Sequence, residues 1–222
     1  MNIKKASILI ILILLIDQVS KIYIKTHFEL QEEIKVFNWF RILFVENNGM
    51  AWGAKLSDFT SVISDRTAKV ILTSFRLIAL IGIGYWLWIS IKNRGSRVLI
   101  VAVSLIFAGA FGNIIDSVFY GVIFNDSYGQ IATAFPKEGG YDTLLHGKVV
   151  DMLHFPLWKG YLPEWIPFYG GKYFTFFEPV FNIADVAIST GVGILIVFNN
   201  RAFPKVKEVI KTDKPLEELH SS

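Results

Sequence analysis

Apolar positions along the chain gather into four long blocks, Ala6 to Ile24, Val70 to Ile91, Val98 to Val118 and Val180 to Phe198. Each approaches the roughly 20 residues that an α-helix needs to cross the hydrocarbon of a bilayer. Between the first two, Ile34 to Val45 is rich in β-branched and aromatic residues and is bounded by Glu32-Glu33 and by Asn47-Asn48-Gly49, which predicts one or two strands ending in a turn. Ser57 to Lys69 predicts a surface helix. Tyr120 to Pro179 is polar, glycine-rich and aromatic, and too long for a bare connection. The pattern predicts a membrane α-helical fold in a single integral membrane domain, with four transmembrane helices, an outward-facing β-rich extramembrane cradle and a long inserted loop. The expected bounds are about 6–24 for the first span, 30–67 for the β segment and surface helix, 70–91 and 98–118 for the next two spans, 119–179 for the loop, 180–198 for the last span and 199–222 for the tail.

Composition agrees with that class. The 222 residues are 53% hydrophobic and 18% charged, with a mean hydropathy of +0.46, too apolar for an ordinary soluble domain. Cysteine is absent, which excludes thiol catalysis, disulfides and cysteine metal sites. Lys4 and Lys5 precede the first block, Lys92, Arg94 and Arg97 fill the link between the second and third, and Arg201, Lys205, Lys207 and Lys211 follow the fourth. By the positive-inside rule these three clusters are cytoplasmic, both termini with them. The segments between Lys25 and Lys69 and between Phe119 and Pro179 then face outward, and Glu29, Glu32, Glu33 and Glu46 dilute the bases of the first. The net charge of +3 is accounted for in this way, without a nucleic-acid partner. Lys4 and Lys5 before Ala6 to Ile16 resemble the start of a secretory signal, but no small-x-small cleavage site follows, so the first helix is expected to be retained.

Polar residues inside the apolar blocks are the candidates for chemistry, because a carboxylate in a span costs about 2.5 to 3.5 kcal/mol at mid-bilayer. Asp185 stands at the head of the last block, with Asn182 and Ser189 on the same helix face. Asp17 and Lys21 sit at i and i+4 in the first block, an arrangement that fits a lone interfacial ion pair as well as a substrate-facing one. In the third block Gly109, Gly112, Asn113 and Asp116 make a stripe of small and polar residues; close helix packing explains the glycines but not Asp116. Arg76 lies in line with Lys69 and Thr73. Asn47 and Gly49 read as turn residues, and Asp151, in Val149 to Phe155, as an ordinary loop carboxylate unless something holds it at the membrane. Trp158, Tyr161, Trp165, Phe168, Tyr169, Tyr173, Phe174, Phe176 and Phe177 resemble an interfacial belt that would hold it there, level with Asp185. Two carboxylates meeting at such an interface do not both ionise readily, and one neutral and one charged acid is the pair that aspartic proteases use.

Five short motifs, in order, carry a resemblance: Asp17-Gln18-Val19-Ser20-Lys21, Asn47-Asn48-Gly49-Met50-Ala51-Trp52, Gly112-Asn113-Ile114-Ile115-Asp116, Val149-Val150-Asp151 and Phe181-Asn182-Ile183-Ala184-Asp185. Together they resemble the lipoprotein signal peptidases, or signal peptidase II, over nearly the whole chain. The resemblance implies an intramembrane aspartic endopeptidase of the bacterial cytoplasmic (inner) membrane. It would remove the signal peptide from diacylglyceryl-modified prolipoproteins, cutting before the lipidated cysteine, with its active site toward the outer face. It implies Asp151 and Asp185 as the catalytic dyad, with Asp17, Lys21, Asn47, Gly49, Gly112, Asn113, Asp116 and Asn182 shaping the site or holding substrate. Expected partners are the lipid-modified prolipoprotein and membrane lipids, with no cofactor, no metal and a monomeric chain.

The chain departs from the family pattern in five places. Ser117 stands where the family usually has Arg after the third-motif Asp, and Arg76 is the expected stand-in. Trp52 and Met152 occupy positions where Phe is common. The connections 118–148 and 152–179 are longer than usual and suggest a flap over the site. The competing reading from the residues alone is a small proton-coupled or ion-conducting transport protein, since intramembrane Asp, Lys and Arg also mark transport paths.

Overall fold

The computed structural model describes residues 1–48, 64–176 and 179–204. Four helices carry the apolar blocks: α1 (Ile3–His27), α2 (Asp65–Lys92), α3 (Arg97–Ile123) and α4 (Ile183–Val197), followed by the short α5 (Asn199–Ala202). The first three are long and apolar enough to cross a membrane. Each start has a side-chain cap: Asn2 accepts from Lys5 N, Ser64 from Thr67 N and Ser96 from Leu99 N. Asn182 and Asp185 cap α4 reciprocally in a capping box. Large apolar side chains project outward along α1 (Ile8, Leu12, Leu15), α2 (Phe75, Ile78, Ile81) and α4 (Val192, Ile196).

Helix α3 is the centre of the bundle and packs against α1, α2 and α4. Small residues permit this. A Cβ on Gly109 would run into the Ala184 carbonyl oxygen and the Ile188 side chain, and one on Gly191 would lie 2.6 Å from the Ala102 carbonyl oxygen. At one end of the bundle, Ala6, Leu87, Leu99, Ile100 and Ala202 form a buried cluster, and Ser96 Oγ donates to the Ala202 carbonyl at 3.1 Å. The start of α1, the α2–α3 link and the end of α4 therefore lie together.

The other end carries an antiparallel sheet of β1 (Glu33–Phe37), β2 (Phe40–Asn47), β3 (Val149–His154) and β6 (Val180–Phe181), in the order β1-β2-β3-β6. Its register sets the site: Val45 pairs with Asp151, Asn47 with Val149, and Leu153 with Phe181. Ile24, Phe28, Phe44, Tyr120, Phe124, Val150 and Met152 form the apolar cluster that seats the sheet on α1 and α3. A separate hairpin, β4 (Trp158–Tyr161) with β5 (Tyr173–Phe176), extends from the connection between β3 and β6.

Element ends differ from the sequence reading. Helix α3 continues past Val118 to Ile123, because Tyr120 and Gly121 are buried against the returning loop instead of starting it. Residues 65–69 of the expected surface helix belong to α2, which Ser64 caps; the rest of that helix lies outside the described residues. Val180 and Phe181 pair as a strand, so the last helix begins at Ile183 and has 15 residues. The first long connection is no simple flap: Tyr141, Asp142, Leu145 and Gly147 donate backbone hydrogen bonds to Phe124, Gly121, Val118 and Ser117, tying it down along the end of α3.

Candidate active site

Sheet and helix bring Asp151 and Asp185 together. Phe181 pairs with Leu153 of β3, and Asn182, the next residue, begins α4; Asp185 thus starts its helix beside the strand that holds Asp151. Two asparagines link the carboxylates. Asn182 Nδ2 donates to Asp151 Oδ1 at 2.7 Å and to Asn113 Oδ1 at 3.1 Å, while Asn113 Nδ2 donates to Asp185 Oδ1 at 2.9 Å. Asn47 Nδ2 reaches Asp151 Oδ2 at 3.2 Å, and the Asn182 backbone N–H reaches Asp185 Oδ2 at 3.1 Å. All four carboxylate oxygens accept a hydrogen bond. Asp151 is 3% exposed, whereas Asp185 is only partly buried, so the helix acid is the more accessible of the two. Burial first, and the Asp185 charge second, push the Asp151 carboxyl up to about 7, against hydrogen bonds from Asn47 and Asn182 and the charge of Lys21.

Behind the pair lies a buried charge cluster. Lys21, 0% exposed, donates at 2.9 Å to each of Asp17 Oδ2, Asp116 Oδ2 and Asn113 Oδ1, which uses all three of its hydrogens. Asp17 Oδ1 accepts from Ala184 N at 2.9 Å, a free N–H in the first turn of α4, and Asp116 Oδ2 accepts from Val150 N at 3.3 Å, the residue before Asp151. Each acid that holds Lys21 thus also holds the backbone next to one member of the pair. Fully buried, Lys21 does not snorkel. It is also the cation that Asp116 pairs with. Asp185 acts electrostatically on Arg76, and Ser117 Oγ simply donates to the Asn113 carbonyl at 2.9 Å.

Of the sequence candidates, Asp17, Lys21, Asn47, Gly112, Asn113, Asp116, Asp151, Asn182 and Asp185 fall in one connected network, and Gly49 lies outside the described residues. Gly112 is there for space: a Cβ on it would lie 2.5 Å from Asp17 Oδ2. Gly112→Ala is expected to displace that carboxylate and to destabilise the fold by about 1 to 3 kcal/mol, read as a lowered unfolding temperature in detergent. Gln18 was missed as a site residue. Its Nε2 lies 3.0 Å from Asp17 Oδ2, 3.2 Å from the Gly112 carbonyl and 3.0 Å from Asp116 Oδ1, and its Oε1 accepts from the Tyr120 hydroxyl at 3.2 Å. An amide inside an apolar helix was the available signal.

Residues 9–200 match the family model described as Signal peptidase (SPase) II. The chain belongs to the signal peptidase II family. A lipoprotein signal peptidase of Porphyromonas gingivalis is 47% identical over 195 residues, which cover 87% of this chain and 82% of the relative. One of Amoebophilus asiaticus is 40% identical over 197 residues, 86% of this chain and 75% of the relative. Two solved bacterial membrane enzymes, determined by the in meso method at 2.3 and 1.9 Å, are also similar. The first has a TM-score of 0.54 at 26% identity, covering 93% of this chain and 95% of its own. The second has a TM-score of 0.56 at 27% identity, covering 90% and 96%. Membership of the signal peptidase II family favours a peptidase over the transport reading that the residues alone had left open.

Proposed function

We propose that this chain is an intramembrane aspartic endopeptidase that removes the signal peptide of diacylglyceryl-modified bacterial prolipoproteins, with Asp151 and Asp185 as its catalytic residues. The observation that carries the proposal is the pairing of two carboxylates from different elements through Asn182 and Asn113, at one end of an apolar bundle. Asp151, whose carboxyl burial and the neighbouring Asp185 push up, supplies the shared proton in this reading, and the more accessible Asp185 acts as the base. Asp185 takes a proton from water as its oxygen adds to the scissile carbonyl carbon, while Asp151 donates its proton to the carbonyl oxygen. The tetrahedral diol then collapses: Asp185 returns a proton to the departing amine nitrogen, the C–N bond breaks, and Asp151 recovers its proton from the diol. The products are the signal peptide with a free carboxyl group and the lipidated cysteine with a free amine.

Four spans with both termini in the cytoplasm fit this role. Lys4 and Lys5, Lys92 to Arg97, and Arg201 belong to the end of the bundle where Ala6, Leu99 and Ala202 cluster, and the sheet with the dyad occupies the other, which by the positive-inside rule supports an outward-facing dyad. Exposed Trp158, Tyr161, Trp165, Phe168, Tyr169 and Tyr173 on and around the β4–β5 hairpin suit the headgroup region beside it.

Purified chain incubated with a diacylglyceryl-modified prolipoprotein peptide should release a fragment ending just before the lipidated cysteine, identified by mass. An uncut peptide would overturn the proposal. Because the active pair holds one proton, kcat/KM is expected to fall about tenfold per pH unit above an apparent pKa of about 7, as Asp151 loses its proton. A flat profile from pH 6 to 9, or a rise, would contradict the proton assignment.

A further inference from the structure

A second buried charge cluster lies one helical turn beyond Lys21. Lys25, 1% exposed, ion-pairs with Glu46 and donates to Ser127 Oγ at 2.9 Å. Ser127, itself fully buried, donates to Glu46 Oε1 at 2.8 Å, and Lys148 reaches Glu46 Oε2 at 2.8 Å. Tyr141 lies between the two lysines, its ring centre 5.1 Å from Lys25 Nζ and 5.2 Å from Lys148 Nζ, and its hydroxyl accepts from Lys148 N at 2.6 Å. Asp126 approaches Lys148 to 3.9 Å. Burial alone would raise the Glu46 carboxyl, but the charge of Lys25 and the bonds from Lys148 and Lys25 outweigh it and hold Glu46 ionised below the usual glutamate range.

The position of Glu46 gives this cluster its consequence. It pairs with Val150 in the sheet, between the Val45–Asp151 and Asn47–Val149 pairs. Its neighbour Asn47 projects to the opposite face and donates to Asp151. Resting on the assignment of Asp151 to the dyad, we propose that Lys25, Glu46 and Ser127 are positioning residues: they clamp β2 between α1 and the inserted segment 124–148, and so set the Asn47 amide on Asp151. The two lysines of α1 then divide the work. Lys21 supports Asp185 through Asn113, and Lys25 supports Asp151 through Glu46 and β2. The first insertion becomes part of the catalytic frame.

The sign of a pH shift separates this role from a simple field effect. Asp151 is faced by Asn47 of β2, Asn182 and Asp185 at the start of α4, and Lys21 of α1. Glu46 is faced by Lys25, Ser127 and Lys148, with Asp126, Tyr141 and Lys69 of α2 nearby. Loss of a negative charge at Glu46 would by itself lower the carboxyl pKa values of the dyad. Loosening Asn47 removes a hydrogen bond from the charged form of Asp151 and raises its pKa.

The test compares wild type, Glu46→Gln and the uncharged change Ser127→Ala on the lipidated prolipoprotein peptide. Displacement of an active-site group by about 1 Å costs up to about 100-fold. Glu46→Gln should therefore lower kcat at least about tenfold and Ser127→Ala about threefold or more, with KM within about threefold and the alkaline limb of the pH profile moved upward. Wild-type kcat in Ser127→Ala, or a limb that stays or moves downward in either variant, overturns the positioning role, and Ser127→Ala decides alone if Glu46→Gln does not fold. A wild-type chain that leaves the peptide uncut overturns the peptidase reading itself.

Discussion

Asp151→Asn and Asp185→Asn are each expected to lower cleavage of a lipidated prolipoprotein peptide by about 1,000-fold or more, measured as kcat, with the protein still inserted and folded. Asparagine fills nearly the same space but can neither take a proton from water at position 185 nor pass one to a carbonyl oxygen at position 151. Residual activity should not be additive, because the two acids act on one proton and one water; the double variant should be no slower than the worse single one. Some loss of stability accompanies each change. Both oxygens of each carboxylate accept hydrogen bonds, and an amide NH₂ placed against one of those donors leaves it unmet, at about 1 to 3 kcal/mol. Near-normal turnover in either variant would remove that residue from the dyad.

The largest effect on stability is expected from Lys21→Met. Methionine matches the length of the lysine stem but leaves Asp17 and Asp116 buried without their cation, and Asn113 Oδ1 loses its bond from Lys21. Breaking a buried pair in this way costs about 3 to 5 kcal/mol, which corresponds to an unfolding temperature lower by on the order of 10 °C. Activity should fall with it, since Asp17 holds the first turn of α4 and Asp116 holds the backbone before Asp151. Adding Asp116→Asn, which removes one of the stranded charges, should recover part of the lost stability; a double variant that loses the sum of the two single effects would show that the residues are not coupled.

How far the sequence could be read depended on how local the cause was. The apolar blocks gave the helices, because spanning length and capping residues are written into consecutive positions. The β-branched and aromatic content of Ile34 to Val45, with its bounding turn residues, gave the strands. Asp151 and Asp185 were legible through their motifs, and Lys21 was legible as a partner of Asp17 one turn away. That Lys21 also holds Asn113 and Asp116 was not, since those residues are about ninety positions distant in the chain and meet it only when α1 packs on α3. The partners of Glu46 were illegible for the same reason. In sequence it looks like one of several acids diluting the outward charge, and only the fold buries it between Lys25 and Lys148. The end of α3 was placed five residues early, at Val118 instead of Ile123, because burial by the returning loop extends a helix beyond what its own pattern shows.

The most direct measurement is a structure of the Asp185→Asn variant with an intact lipidated prolipoprotein peptide bound. The scissile carbonyl is expected between residues 151 and 185, with its carbon within about 3.5 Å of a water held at position 185 and its oxygen in hydrogen-bond reach of Asp151. A peptide seated with that bond away from both side chains would contradict that placement.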